Sequence, residues 1–454
     1  MTTLIKNGLL IDPANQINSK QNLFIANGKI AAVTADTPAA DRVIDADGKV
    51  VCPGFIDLHM HEDPVENGHI YRDEDKAIFA CMLRQGVTSV LAGNCGLNVC
   101  DPGDYLDLAD KEGTYVNVAM MAGLQYYREE IVGIRDRYAH ATPGQCDRMA
   151  LNLARALARG CAGISYGVEY APGIDREELL ATAAPCQKDG KLISAHVRSD
   201  SPDEILNSIR EIMALGEIYH APVQISHIGS MAGFDMVPDA LALMDRHRAN
   251  GLDVLCDCYP YEAFSTHIGS SAFDDLWLEK RGCGYDVLEI ARGQFQGQRA
   301  TKELFDRLRR EDPRCLVVCH SIRPGMVDAA LTDPAVILAS DGLLDHGSGH
   351  PRAAGTFPRF LAAFVRSGKV SLYDAVAKMT AMPARRLGLS QKGRLNAGAD
   401  ADVVIFDPDV VADRATFQEP VLPPVGIEYV LMNGELAMQN GKILRGDLGR
   451  ALRK

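Results

Sequence analysis

Between residues 53 and 395 short apolar runs alternate with stretches of helical period: DRMALNLARALARG leads into CAGISYG, and REELLATAAPCQKDG into KLISAHV. This alternation predicts βαβ units and a parallel sheet. Nine candidate strands compete for eight barrel places, at His59, Cys95, Val116 to Ala119, Gly163 to Tyr166, His196, His227, Asp253 to Tyr259, Cys315 to His320 and Asp341. Glu262 to Arg314 is long for a simple connection, so Cys315 to His320 is assigned to an insertion around 262–335 that carries helices over the barrel mouth. The ends of the chain read differently. TLIKNGLLID, NLFIANGKIAAV and DRVIDADGKVV are short strand-like runs, with Asn27-Gly28 as a hairpin turn. ADVVIFDP, the run Ile427 to Met432, Asn433-Gly434 and GKILRG mirror them. The expected fold is α/β, a (β/α)8 TIM-like barrel over 53–395, with one small sheet domain formed by 1–52 and 396–454.

Composition fits that plan and narrows the class. A chain of 454 residues accommodates a barrel of about 250 to 350 residues plus an accessory domain. A net charge of −13 without a compensating basic stripe argues against nucleic-acid binding and leaves a small molecule as the expected partner. MTTLIKNGLL lacks the apolar core of a signal peptide, and no run approaches the ~18 apolar residues of a membrane span, so the protein reads as cytoplasmic and not membrane-bound. The twelve cysteines are scattered through apolar strands, and most of them read as reduced core residues, including the C-x-C pair Cys256 and Cys258.

The chemistry gathers where the apolar runs stop. His59 and His61 end VVCPGFIDL, and at i and i+2 they share one face of a strand. Cys95, His196, His227 and Asp341 each end a run of their own: VTSVLAGNC, KLISAH, PVQISH and AVILASD. One such pair of histidines is weak evidence, because two satisfied imidazoles on a half-buried strand look the same. Six potential ligands at the carboxyl ends of five strands are another matter, since a parallel barrel brings that face to one point and the donor types suit zinc.

PGFIDLHMH resembles the first-strand motif of the amidohydrolase superfamily. GNCG (Gly93 to Gly96), HPRAAGTFPR (His350 to Arg359), MTAMPARRLGL (Met379 to Leu389) and DRATFQEP (Asp413 to Pro420) resemble its N-acyl-D-amino-acid deacylase branch. The resemblance implies that the sheet domain is a β-sandwich beside the barrel. It also implies that Cys95, His196 and His227 hold one zinc ion tightly, and that His59, His61 and Asp341 form a second, weaker site. Asp341 then serves as general base and acid, taking a proton from metal-activated water and giving it to the departing amine. The fourth-strand segment CAGISYGVEYAPG has no lysine, which favours the Cys95 arrangement over that of hydantoinases or dihydroorotases; Glu169 nearby is a further carboxylate whose expected role is structural.

Arg198, Tyr259 and Arg352 are the candidates for holding a substrate carboxylate. Two departures from the branch bear on the substrate. Gly229 stands where the branch commonly has a lysine, and Gly123-Leu124 where it commonly has Gly-His. The expected activity is zinc-dependent deacylation of N-acyl-D-amino acids or close relatives. Hydrolysis of a cyclic amide such as a hydantoin, imide or lactam is the alternative, and a non-catalytic barrel scaffold, which lost ligands would mark, is a third reading.

Overall fold

Eight of the nine apolar runs pair as parallel neighbours: β1 (Phe55–Asp57), β2 (Val87–Ala92), β3 (Asn117–Gly123), β4 (Gly163–Gly167), β5 (Leu192–His196), β6 (Val223–Ile225), β7 (Val254–Cys258) and β8 (Val336–Leu338). The ring is completed beyond the ends of β8 and β1, where Asp341 N–H donates to His59 O (2.7 Å) and His61 N–H to Gly342 O (2.9 Å). The computed structural model describes residues 1–274 and 276–454. Successive residues of each strand serve two cores, as a pleated strand covered on both faces requires. Ile56, Leu91, Ala119, Met121, Leu192 and Ile337 fill the barrel interior. Val90, Val118, Met120, Ile193, Val336 and Leu338 face the surrounding helices.

The ninth run, Leu316–Cys319, lies outside the ring. It is the central strand of a three-stranded antiparallel sheet, between Phe264–His267 and Leu288–Ile290. That sheet and the helices Trp277–Arg281 and Lys302–Glu311 enclose a core of their own around Phe273, Trp277 and Phe305. The helix Met326–Thr332 that follows packs on Val237–Ala249 and on β8, and so completes the barrel's outer layer.

Both ends of the chain build one nine-stranded sheet beside the barrel, in which Val50–Pro53 is the seam between Thr2–Asp12 and Val403–Phe406. The sheet curls on itself, since Ile30 N–H donates to Ala399 O and Ala401 N–H to Gly28 O. Its inner face encloses Ile5, Leu10, Leu23, Ile30, Val51, Val403 and Leu431. All twelve cysteines are free thiols. No helix among the described residues is long and apolar enough to cross a membrane.

Candidate metal centre

The six donor residues converge at the carboxyl-terminal mouth of the barrel. His196 is the last residue of β5, while His59, Cys95, His227 and Asp341 lie two or three residues beyond β1, β2, β6 and β8. Cys95 (φ 53°), His227 (φ 34°) and Asp341 (φ 49°) all sit in the left-handed region. L-residues adopt it at a cost, and such conformations gather where a backbone must turn sharply to aim a side chain.

Two groups of buried donor atoms result, each with all members within 4.8 Å of one another: His59, His61, Cys95 and Asp341, and Cys95, His196 and His227. Cys95 belongs to both. Its Sγ lies 3.3 Å from His59 Nε2 and 3.6 Å from His227 Nε2, and His196 Nδ1 lies 3.1 Å from His227 Nε2. Asp341 Oδ1 is 3.4 Å from Nε2 of both His59 and His61. Tetrahedral zinc with ordinary Zn–N and Zn–S bonds separates its ligands by about 3.3 to 3.8 Å; the Cys95 and Asp341 spacings lie in that range, and the two imidazoles of His196 and His227 stand slightly closer than it.

Electrostatics agrees with the spacing. Burial disfavours a Cys95 thiolate, but His59, together with hydrogen bonds from His196, His227 and His59, outweighs it and holds the thiol well below its ordinary range. Burial likewise opposes charge on the histidines, yet hydrogen bonds donated to Asp341 and Cys95 raise His61 to about 9, and those donated to Cys95 and Glu169 raise His196 to about 10. A buried thiolate and carboxylate thus hold protons on the facing imidazoles, and those are the protons a divalent cation displaces.

Asp257 and Ser230 support the donors and escaped the sequence reading. Asp257 Oδ1 lies 3.1 Å from His59 Nδ1 and accepts the His227 N–H at 2.8 Å, while Gln224 holds its other oxygen at 2.9 Å. The signal was present: if Cys256 and Cys258 face outward, Asp257 between them faces the barrel interior. Glu169, expected to be structural, lies 2.7 Å from His196 Nε2 and fixes that ring. Ser230 does the same for His227 at Nδ1, 3.1 Å away.

A cavity of about 470 Å³ opens outward from His61 and Asp341, lined also by Tyr170, Ser265, Thr266, His267 and Arg352. Arg352 is buried, its Nη1 2.8 Å from Asp341 Oδ2. Its Nε and the Ser265 hydroxyl have no hydrogen-bond partner among the described residues. Tyr259 lies behind it, ring centroid 4.6 Å from the guanidinium, and is not part of the cavity wall. Arg198 requires a correction. Its guanidinium is bonded to both oxygens of Glu211 and to the carbonyls of Pro172 and Ile174, and it lines none of the described cavities around the centre. A Cβ at 229 would stand 2.5 Å from Cys258 Sγ, so a larger residue there would have to displace that side chain.

A parallel eight-stranded barrel with buried histidine, cysteine and aspartate donors at its carboxyl-terminal face defines the class of metal-dependent barrel hydrolases. The chain belongs to the amidohydrolase family, whose model, described as "Amidohydrolase family", matches residues 42–140 and 170–438. It is similar to N-acyl-D-glutamate deacylase of Alcaligenes xylosoxydans xylosoxydans, with 31% identity over 98% of this chain and 96% of the relative. D-aminoacylase of the same organism is 32% identical over 99% and 97%. Among solved structures, N-acyl-D-glutamate deacylase from Bordetella bronchiseptica, complexed with zinc and a phosphonate mimic of the tetrahedral intermediate, superposes with a TM-score of 0.87 at 30% identity, covering 100% of this chain and 99% of that one. The resemblance read from the motifs is therefore the correct one. A D-hydantoinase at 17% identity and a TM-score of 0.61 shares the fold.

Proposed function

We propose that this amidohydrolase is a zinc-dependent deacylase of N-acyl-D-amino acids. The observation that carries the reading is Cys95 Sγ standing between two buried donor groups with Asp341 at their edge, open to a cavity. Cys95, His196 and His227 would hold one ion tightly, and His59, His61 and Asp341 a second, weaker one. Bound zinc supplies Lewis acidity towards the amide carbonyl and lowers the pKa of water towards neutrality.

The chain's own residues do the rest. Burial pushes the Asp341 carboxyl up, but Arg352, then His227 and His59, outweigh it and keep it ionised, ready to accept a proton. Oδ1 faces the two histidines while Oδ2 is tied to Arg352, so Oδ1 is the oxygen placed to take a proton from water and return it to the amine nitrogen. Arg352 and Ser265, which line the cavity and whose buried Nε and hydroxyl are unpaired, would hold the substrate carboxylate, with Tyr259 supporting the guanidinium from behind. A cytoplasmic setting belongs to the same reading, supported by the twelve free thiols.

The test pairs chemistry with composition. Purified, zinc-loaded protein should cleave N-acyl-D-amino acids faster than their L-enantiomers, and elemental analysis should find the firmly held zinc lost in Cys95→Ala. Faster cleavage of hydantoins, imides or lactams than of any acyl amino acid would replace the deacylase reading with a cyclic-amide one. Retention of zinc in Cys95→Ala would remove Cys95 from the site.

A further inference from the structure

The centre is short of free cations, and the rim of its cavity is not. Arg352 beside the centre is tied to Asp341. Further out along the same cavity the wall carries Arg135 and Arg137, from the segment after β3, and Arg314, from the turn leading into Leu316–Cys319. Arg137 is anchored, donating to Gly269 O at 2.8 Å and lying 4.0 Å from Asp274. Arg135 and Arg314 have no ion-pair or hydrogen-bond partner among the described residues. Apart from Asp341, the carboxylate on this wall is Glu129. With Arg137 set against Asp274, Arg135 and Arg314 against Glu129 leave a local surplus of positive charge on a chain whose net charge is −13.

We propose that this rim is a binding site for a second carboxylate on the substrate, set further from the scissile amide than the α-carboxylate. The inference rests on the deacylase reading and names its substrate class: N-acyl-D-amino acids with an additional carboxylate, on either the side chain or the acyl group. Guanidinium forks suit a carboxylate, and a positively charged mouth on an acidic protein draws a dianion inward. Arg135 and Arg314 are exposed and Arg137 is half-buried, so each contributes modestly, and the attraction weakens as salt rises.

The experiment measures kcat/KM of the zinc-loaded full chain on N-acetyl-D-leucine, N-acetyl-D-glutamate and N-succinyl-D-leucine, at low and high salt. It is repeated for Arg135→Gln combined with Arg314→Gln. The expected result is a preference of about tenfold for one dianion over the monoanionic N-acetyl-D-leucine, carried mainly by KM and reduced by salt. In the double variant the dianion should lose about tenfold more than N-acetyl-D-leucine does. Preference for the glutamate derivative assigns the carboxylate to the side chain, and preference for the succinyl derivative assigns it to the acyl group; either supports the site. Equal treatment of all three substrates by the unmodified protein, or equal losses in the variant, overturns the rim site and leaves the deacylase reading in place. No turnover of any of them overturns both.

Discussion

Asp341 makes a prediction at the scale of one atom. Asp341→Asn keeps the shape but removes the basic carboxylate, so turnover should fall about a hundredfold or more while the zinc proposed to sit on Cys95, His196 and His227 should be retained. Turnover and metal content measured on one preparation check this, and near-normal turnover would sink the assignment. The two arginines divide sharply. Arg352→Met leaves a buried Asp341 without its partner, which typically costs about 3 to 5 kcal/mol, so kcat/KM should fall at least about a hundredfold. Arg198→Met removes a half-buried pair with Glu211 away from the cavity and should stay within about threefold of the parent. Steady-state kinetics of both variants on one N-acyl-D-amino acid decides between them. The reason Arg198 was misread is physical. Spacing puts it two residues beyond His196, but whether its fork is free depends on Glu211, thirteen residues on, and on two carbonyls that only the fold brings near. Asp257, in contrast, was legible from strand period alone.

Between residues and molecule lie elements whose motifs are not site residues at all. Of HPRAAGTFPR only Arg352 lines the cavity beside Asp341; the rest is anchorage. His350 is wholly buried, Nε2 3.1 Å from Ala263 O and Nδ1 accepting the Arg352 N–H at 3.0 Å. DRATFQEP holds that turn from outside. Asp413 accepts from Tyr261 and Arg359, and the Phe417 ring packs edge-on against His350 (5.1 Å) and His320 (4.7 Å). Two sequence strings some sixty residues apart therefore form one clamp on the backbone that carries Arg352. Since sub-ångström placement governs rate, Phe417→Ala should lower kcat/KM about tenfold with zinc content unchanged, and Phe417→Leu should restore most of it. An unaltered Phe417→Ala would mean that the turn holds itself. The motifs announced the family, but nothing in them separates the group that faces substrate from those that brace it. The inserted sheet was hidden for another reason: Phe264–His267 and Leu288–Ile290 are four and three residues long, too short to show a period, and only Leu316–Cys319 stood out.

At the scale of the whole molecule, the barrel separates chemistry from stability, with the donors at one end of the strands and a seal over the barrel foot at the other. Barrel and sheet domain were legible because apolar runs recur along the chain and both ends carry hairpin signals. The seal at the foot of the barrel was not, because the segment after Asp447 has no apolar pattern to betray a strand. That segment runs beside β3. Thr114 and Gly449 exchange N–H···O bonds (3.1 and 2.8 Å), Val118 N–H donates to Arg450 O (2.9 Å), and Leu452 N–H donates to Val118 O (2.7 Å). Arg453 reaches Asp107 and Asp110 on the helix Pro102–Glu112, and Lys191 Nζ donates to Lys454 O. Leu452 packs against the interior core that ends above in β1, β2 and β8. Removing residues 447–454 orphans buried backbone groups at Thr114 and Val118, each worth about 1 to 3 kcal/mol when left unsatisfied, partly offset by the chain entropy released. A net loss of about 2 to 4 kcal/mol should appear as a lower urea midpoint. Because the seal and the metal centre occupy opposite ends of the strands, the truncated protein that remains folded should keep its zinc and its kcat. A truncation that left the midpoint alone would show the seal to be dispensable; one that abolished kcat while the protein stayed folded would show that the two ends of the barrel are coupled.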